Sequence, residues 1–145
     1  MYKRILLAYD GSESGQKALL DCHDIAQWSS AALTLIAVMP LVLAAIGPEG
    51  GVYDDRMQEG ERAHHQTVLD AGLLKLAGMG LSAEGEVVLG DAVTEIAERA
   101  AQVGADLIEV GHKHQDGWAA RWWRGSISKA LIEEAPCSVL VVITR

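Results

Sequence analysis

At 145 residues the chain is long enough for one hydrophobic core and short for two, so a single domain over residues 1–145 is expected. Half of its residues are apolar, which excludes a disordered chain. A formal charge of -8 supplies no basic face for counterion release, so nucleic acid is excluded as a partner.

Residues 4–9 form a nearly continuous apolar run, as expected of a strand buried on both faces. The run ends in Asp10-Gly11-Ser12-Glu13-Ser14-Gly15, a turn rich in helix-capping residues. Ala18, Leu19, Cys22, Ile25 and Ala26 then recur at helical spacing. Residues 33–38 read as a second apolar strand, stopped by Pro40. The Gly-rich stretch 41–53 is an irregular excursion rather than a domain boundary. A helix is predicted from 54 to about 77, apolar late at Val68, Leu69, Ala71, Leu73, Leu74 and Leu76, and ended by Gly78 and Gly80. The more polar strand 84–89 suits a sheet edge. Asp91 caps a third helix that turns Val93, Ile96, Ala97 and Ala100 inward. A strand over 106–110, a loop, a helix from 126 to about 134 and a strongly apolar strand over 138–143 complete the chain.

Cys22 and Cys137 belong to no Cys-x-x-Cys pair and read as reduced core thiols. The first apolar run is too short for a secretory leader, and the run 31–46 is interrupted by Thr34 and Pro40 and falls short of a membrane span. No membrane partner and a cytoplasmic location are therefore expected.

Strand and helix alternate four times before a closing fifth strand, which implies a parallel sheet with helices on both faces. Such sheets bind ligands beyond the carboxyl ends of the strands, where the winding direction reverses. With five strands in a flavodoxin-like or related order, that point lies beside the first strand. It brings Asp10 and the stretch 111–128 into one neighbourhood.

That stretch has glycines at both ends, Gly111 and Gly125, and Ser126 or Ser128 opening the next helix, with Ile127 between them. Close backbone approach at glycine and the free amides of a first helical turn suit a phosphate. Neither Gly-Lys-Ser/Thr nor Gly-x-Gly-x-x-Gly occurs, and a surface loop that merely caps a helix is the competing reading. Lys113, Arg121 and Arg124 could pair with phosphate oxygens or be solvated. Trp118, Trp122 and Trp123 could stack on a base, pack the loop down or form an interface.

Other chemistries are weighed against this one. Gly11-Ser12-Glu13-Ser14-Gly15 fits a nucleophile elbow, but it follows the first strand and no histidine lies near the last. Capping explains its serines, and no catalytic residue is assigned. His112, His114 and Asp116 alternate as metal ligands do in an extended run, yet a full ligand set cannot be assembled, and no metal site is assigned. His112 and His114 are better read as hydrogen-bonding to backbone or phosphate. Glu109, in a strand expected to be buried, faces the ligand crevice, a helix-borne cation, or a wetter face.

Taken together, Ile-Leu-Leu-Ala-Tyr-Asp-Gly-Ser at 5–12, Ala-Val-Met-Pro at 37–40, Gly-Asp-Ala at 90–92, Asp-Leu-Ile at 106–108, Gly-Ser-Ile-Ser at 125–128 and Ala-Pro-Cys-Ser-Val-Leu-Val-Val at 135–142 resemble the universal stress protein family. The resemblance covers essentially the whole chain. It implies a doubly wound, five-stranded α/β domain of flavodoxin-like or Rossmann-related type, with strand order 3-2-1-4-5. It also implies a homodimer through the last strand, and ATP or a related adenine nucleotide with Mg2+ as cofactor. By resemblance, Asp10 in its Gly11-Ser12 turn faces the adenosine and the backbone at Val38 contacts adenine. Gly111, the position of His114, Gly125 and Ser126 then surround the phosphates, with Ser128 close by. The family pattern is Gly-x2-Gly-x9-Gly-Ser/Thr. Here His114 stands for the second glycine, and ten residues, not nine, separate it from Gly125. The run Gly-His-x-His-Gln-Asp-x-Trp is similar to a branch without that pattern, whereas Gly125-Ser126 is similar to the binding branch. Two functions follow: a regulatory nucleotide-binding module with slow or absent hydrolysis, or a dimeric stress scaffold acting through unknown protein partners.

Overall fold

The computed structural model describes residues 1–40, 55–113 and 127–144. Five strands, β1 (Arg4–Ala8), β2 (Ala32–Met39), β3 (Ala83–Leu89), β4 (Leu107–Lys113) and β5 (Ser138–Thr144), pair in the order β3-β2-β1-β4-β5. Every pairing is parallel. The helices are α1 (Glu13–Ser29), α2 (Asp55–Gly78), α3 (Ala92–Val103) and α4 (Ile127–Glu134).

Alternation along the strands divides the core into two layers. Ile5, Leu7, Leu33, Leu35, Leu107 and Val142 face one side, where Ala18, Leu19, Cys22 and Ala26 of α1 and Leu69 and Leu76 of α2 cover them. Leu6, Ile36, Ile108 and Val110 face the other, under Val93, Ile96 and Ala100 of α3 and Leu131 of α4. Both layers exclude water, which is why the strands read as unbroken apolar runs rather than alternating ones. The expectation of helices on both faces holds. So does that of β3 as an edge strand.

Two helices start where sequence places their caps. Ser12 Oγ accepts the Gly15 amide at 3.1 Å, and Asp91 Oδ2 accepts the Thr94 amide at 3.1 Å. Entry to β4 is fixed by Asp106, whose carboxylate takes the Lys3 and Arg4 amides at 2.8 and 3.0 Å and so binds the start of β1 to the start of β4. Burial works against its charge, but these amides outweigh it and hold the carboxyl below its ordinary value. On the opposite layer, Arg99 of α3 pairs with Glu86 of β3.

One expectation is corrected. The loop predicted to begin at Gly111 begins later, because Gly111, His112 and Lys113 continue β4 opposite Val142, Ile143 and Thr144. Leu74 is 75 % exposed and Ala71 is also exposed, so the buried stripe of α2 runs through Leu69, Gly72 and Leu76. Ser128 lies in the first turn of α4, at the start of the helix as expected. Cys22 and Cys137 are both unpaired thiols, as expected. Among the described residues no helix is long and apolar enough to cross a membrane.

Candidate functional site

The register of the sheet creates a notch. Ala8, the last residue of β1, lies opposite Ile36 of β2 and Val110 of β4. Beyond that level β2 runs on for Ala37, Val38 and Met39, and β4 for Gly111, His112 and Lys113. Three residues of missing central strand leave a gap about 10 Å deep, and two strand spacings make it about 10 Å wide. It lies at the carboxyl ends of the strands, at the point where the winding reverses.

The floor of the notch is the turn leaving β1. Tyr9 still donates its amide to Ile36 O at 2.8 Å, and the chain then swings away. Asp10 Oδ1 accepts the Ser12 amide at 3.0 Å and the Ser12 hydroxyl at 2.6 Å. Oδ2 of this exposed carboxylate has no partner among the described residues. Gly11 makes the turn at φ +75, a conformation that costs glycine nothing. A Cβ there would also stand 3.0 Å from Cγ1 of Val68 on α2. Beneath the turn, Gln16 Nε2 donates to the Tyr9 hydroxyl at 2.6 Å, and Lys75 Nζ donates to Gln16 Oε1 at 2.8 Å, tying the turn to α1 and α2. Burial, reinforced by the Asp10 charge, raises the Tyr9 phenol above its ordinary value.

The walls are backbone. Ile36 gives its carbonyl to Tyr9 on the β1 side, while Met39 gives its carbonyl to Gly90 on the β3 side. In a parallel ladder alternate residues face the same neighbour. The amide and carbonyl of Val38 therefore face the notch. Across it, Gly111 abuts the start of α1. A Cβ at this position would fall against the Ser14 carbonyl group and 2.7 Å from the Gly15 nitrogen. Its glycine is thus required by helix-to-strand contact, whatever else it serves. His112, half-buried, follows Gly111 and by alternation shares the layer of Val110. Ile127, 51 % exposed, and Ser128, half-buried, open α4.

Of the residues singled out from sequence, Asp10, Gly11, Ser12, Val38, Gly111 and His112 thus border one notch. His114, Asp116, Arg121, Arg124, Gly125, Ser126 and the three tryptophans of the loop lie outside the described residues. Ser14 is only 6 % exposed and sits 3.2 Å from Ser12 Oγ, as a capping neighbour rather than a presented nucleophile. Among the described residues no group of three His, Cys, Asp or Glu is placed to hold a metal.

Glu109 does not face the notch. Its side chain is wholly buried on the α1 layer of the sheet, beside Cys22. Sequence reading missed Tyr9, Gln16, Lys75 and Val68 as supports of the turn. Gln16 and Lys75 carried a weak signal, being polar residues near the buried stripes of their helices.

The universal stress protein family matches residues 1–142. A putative universal stress protein of Staphylococcus haemolyticus is 30 % identical over 99 % of this chain and 86 % of its own length. A solved universal stress protein family structure from Burkholderia pseudomallei is 24 % identical, covers 97 % of this chain and 96 % of its own, and superposes with a TM-score of 0.76. A universal stress protein family protein of Arabidopsis thaliana, solved with AMP bound, is 18 % identical over 99 % of this chain and 92 % of its own, with a TM-score of 0.72. Sequence match, strand order and superposition agree: this chain belongs to the universal stress protein family.

Proposed function

We propose that the chain is a regulatory adenine-nucleotide-binding module whose output is the ordering of the notch walls rather than turnover. The observation that carries this reading is the notch itself, where a carboxylate oxygen at the floor and backbone groups on the β2 wall have no partner among the described residues. Ribose hydroxyls suit Oδ2 of Asp10, and an adenine edge suits the amide and carbonyl of Val38, since each is a polar group without a partner among the described residues. The phosphates would extend past Gly111 and His112 toward the start of α4; Arg124, Gly125 and Ser126 enter this reading by the family resemblance alone. The AMP held by the Arabidopsis relative supports the choice of ligand class.

The test is melting of the wild type and Asp10→Asn with AMP and with ATP, each with and without Mg2+. Asparagine keeps the Oδ1 acceptor and hence the turn, but loses the charge. Nucleotide at a hundred times its Kd adds about 2.7 kcal/mol to wild-type stability. Asp10→Asn should melt normally without ligand and gain much less with it. No shift with any nucleotide at millimolar concentration would reject this reading.

A second reading has its own observation. β5 is an edge strand whose outer side has no strand partner among the described residues, and Ile143 on it is 53 % exposed. An apolar parallel edge of this kind is a pairing hazard unless another chain covers it. A homodimer through residues 138–143 would meet that need. Such a dimer is compatible with nucleotide binding, and if the notch takes no nucleotide it would serve as a scaffold for partner proteins.

A further inference from the structure

Glu109 is wholly buried, and neither carboxyl oxygen has a hydrogen-bonding partner among the described residues. In β4 it stands between Leu7 of β1 and Leu140 of β5, both apolar, and it faces α1. The groups α1 turns toward it are the buried Cys22 thiol and, farther out, Lys17 and Asp21. Those two pair with each other at 3.1 Å, each about half exposed, so Lys17 is not committed to Glu109. Two residues along β4, Gly111 abuts Ser14 and Gly15 at the start of the same helix.

We propose that Glu109 is a proton-operated latch for α1. With its proton, the carboxyl lies neutral beneath the helix. Without it, an uncompensated charge sits between β4 and α1, and the helix lifts to let water reach it. Because α1 begins at the notch, its seating is felt at the Asp10–Ser12 turn. Burial is the main cause that raises this carboxyl from its ordinary 4.5 to about 7; the Cys22 thiol beside it comes next and works the other way, while the Asp21 and Lys17 charges pull in opposite directions. The buried thiol is itself pushed above its ordinary value, first by burial and then by Glu109, so it stays protonated beside the carboxyl. The sign follows from proton binding. Between pH 4.5 and about 7 the unfolded chain has released this proton and the folded chain has not, so rising pH removes stability until both forms are ionised.

The experiment compares full-length wild type with Glu109→Gln by urea unfolding from pH 4 to 8, and by amide exchange over residues 13–29. Relative to the variant, the wild type should lose stability across that interval and then level off. Its α1 amides should exchange at least about tenfold faster at pH 8 than intrinsic rates and the variant's behaviour allow. A stability difference that does not vary with pH overturns the latch, as does a pH-dependent one with α1 exchange unchanged. If Glu109→Gln does not fold, the carboxyl carbon of Glu109 is titrated by NMR in the wild type. A midpoint near 7 sustains the proposal, and one in the ordinary carboxylate range ends it.

Discussion

Gly111→Ala separates what the fold asks of Gly111 from what a ligand would ask. The added methyl would fall against the Ser14 carbonyl group and 2.7 Å from the Gly15 nitrogen. These are backbone atoms of a capped first turn, held by Ser12, and cannot rotate aside as the end of a long side chain can. Relief requires β4 and α1 to part by several tenths of an ångström, and overpacking of this kind costs about 1–3 kcal/mol. Replacing glycine also restricts the unfolded chain, which returns about 0.4–1 kcal/mol. The net expectation is a loss of roughly 1–2 kcal/mol, or about 2–8 °C in Tm for a domain of this size. Urea unfolding at constant m reads the loss as a lower midpoint. Gly60→Ala is the matched control: it sits in α2 with nothing within 4 Å of the added atom and should gain about 1 kcal/mol. If Gly111→Ala equals or exceeds the wild type in the absence of ligand, the contact with α1 does not explain this glycine. Its role would then have to lie with whatever occupies the notch.

Two further outcomes are expected at Asp106 and at Ile143. Asp106→Ala frees the Lys3 and Arg4 amides and should cost about 1–2 kcal/mol near neutral pH. Because the folded carboxyl lies below its ordinary 3.8, its contribution is present above that value and fades as pH falls through the folded one, so the variant should lose less in acid than the wild type does; parallel acid unfolding curves would contradict this. Ile143→Lys places a charge on the open face of β5 and should yield a monomer by light scattering with an unchanged circular dichroism spectrum; a wild type that is already monomeric, or a variant that remains dimeric, would remove β5 as the interface.

The architecture was legible because both faces of the sheet are dry, so runs such as 5–8 and 139–143 announce buried parallel strands without any partner in view. The site was legible only in part, and for a physical reason. Gly111, His112 and Lys113 have little strand preference of their own, and a local reading ends β4 at Val110. The ladder to Val142, Ile143 and Thr144 carries them on, so it is β5, some thirty residues away in sequence, that raises the second wall of the notch. The depth of the notch is likewise a difference between three strand lengths, which no single stretch of sequence encodes. Glu109 shows the same limit from the other side. Its burial follows from the strand, and alternation sets it on the layer of Leu107 and Gly111. Yet only the packing of α1 over β4 brings Cys22 above it, from a stripe whose spacing already marked that position as inward. A neutral acid there is less costly than a carboxylate, because burial penalises the charge more than the neighbouring thiol relieves it. That asymmetry is why the proton on Glu109, rather than a cation on the helix, is the natural counterpart of its burial.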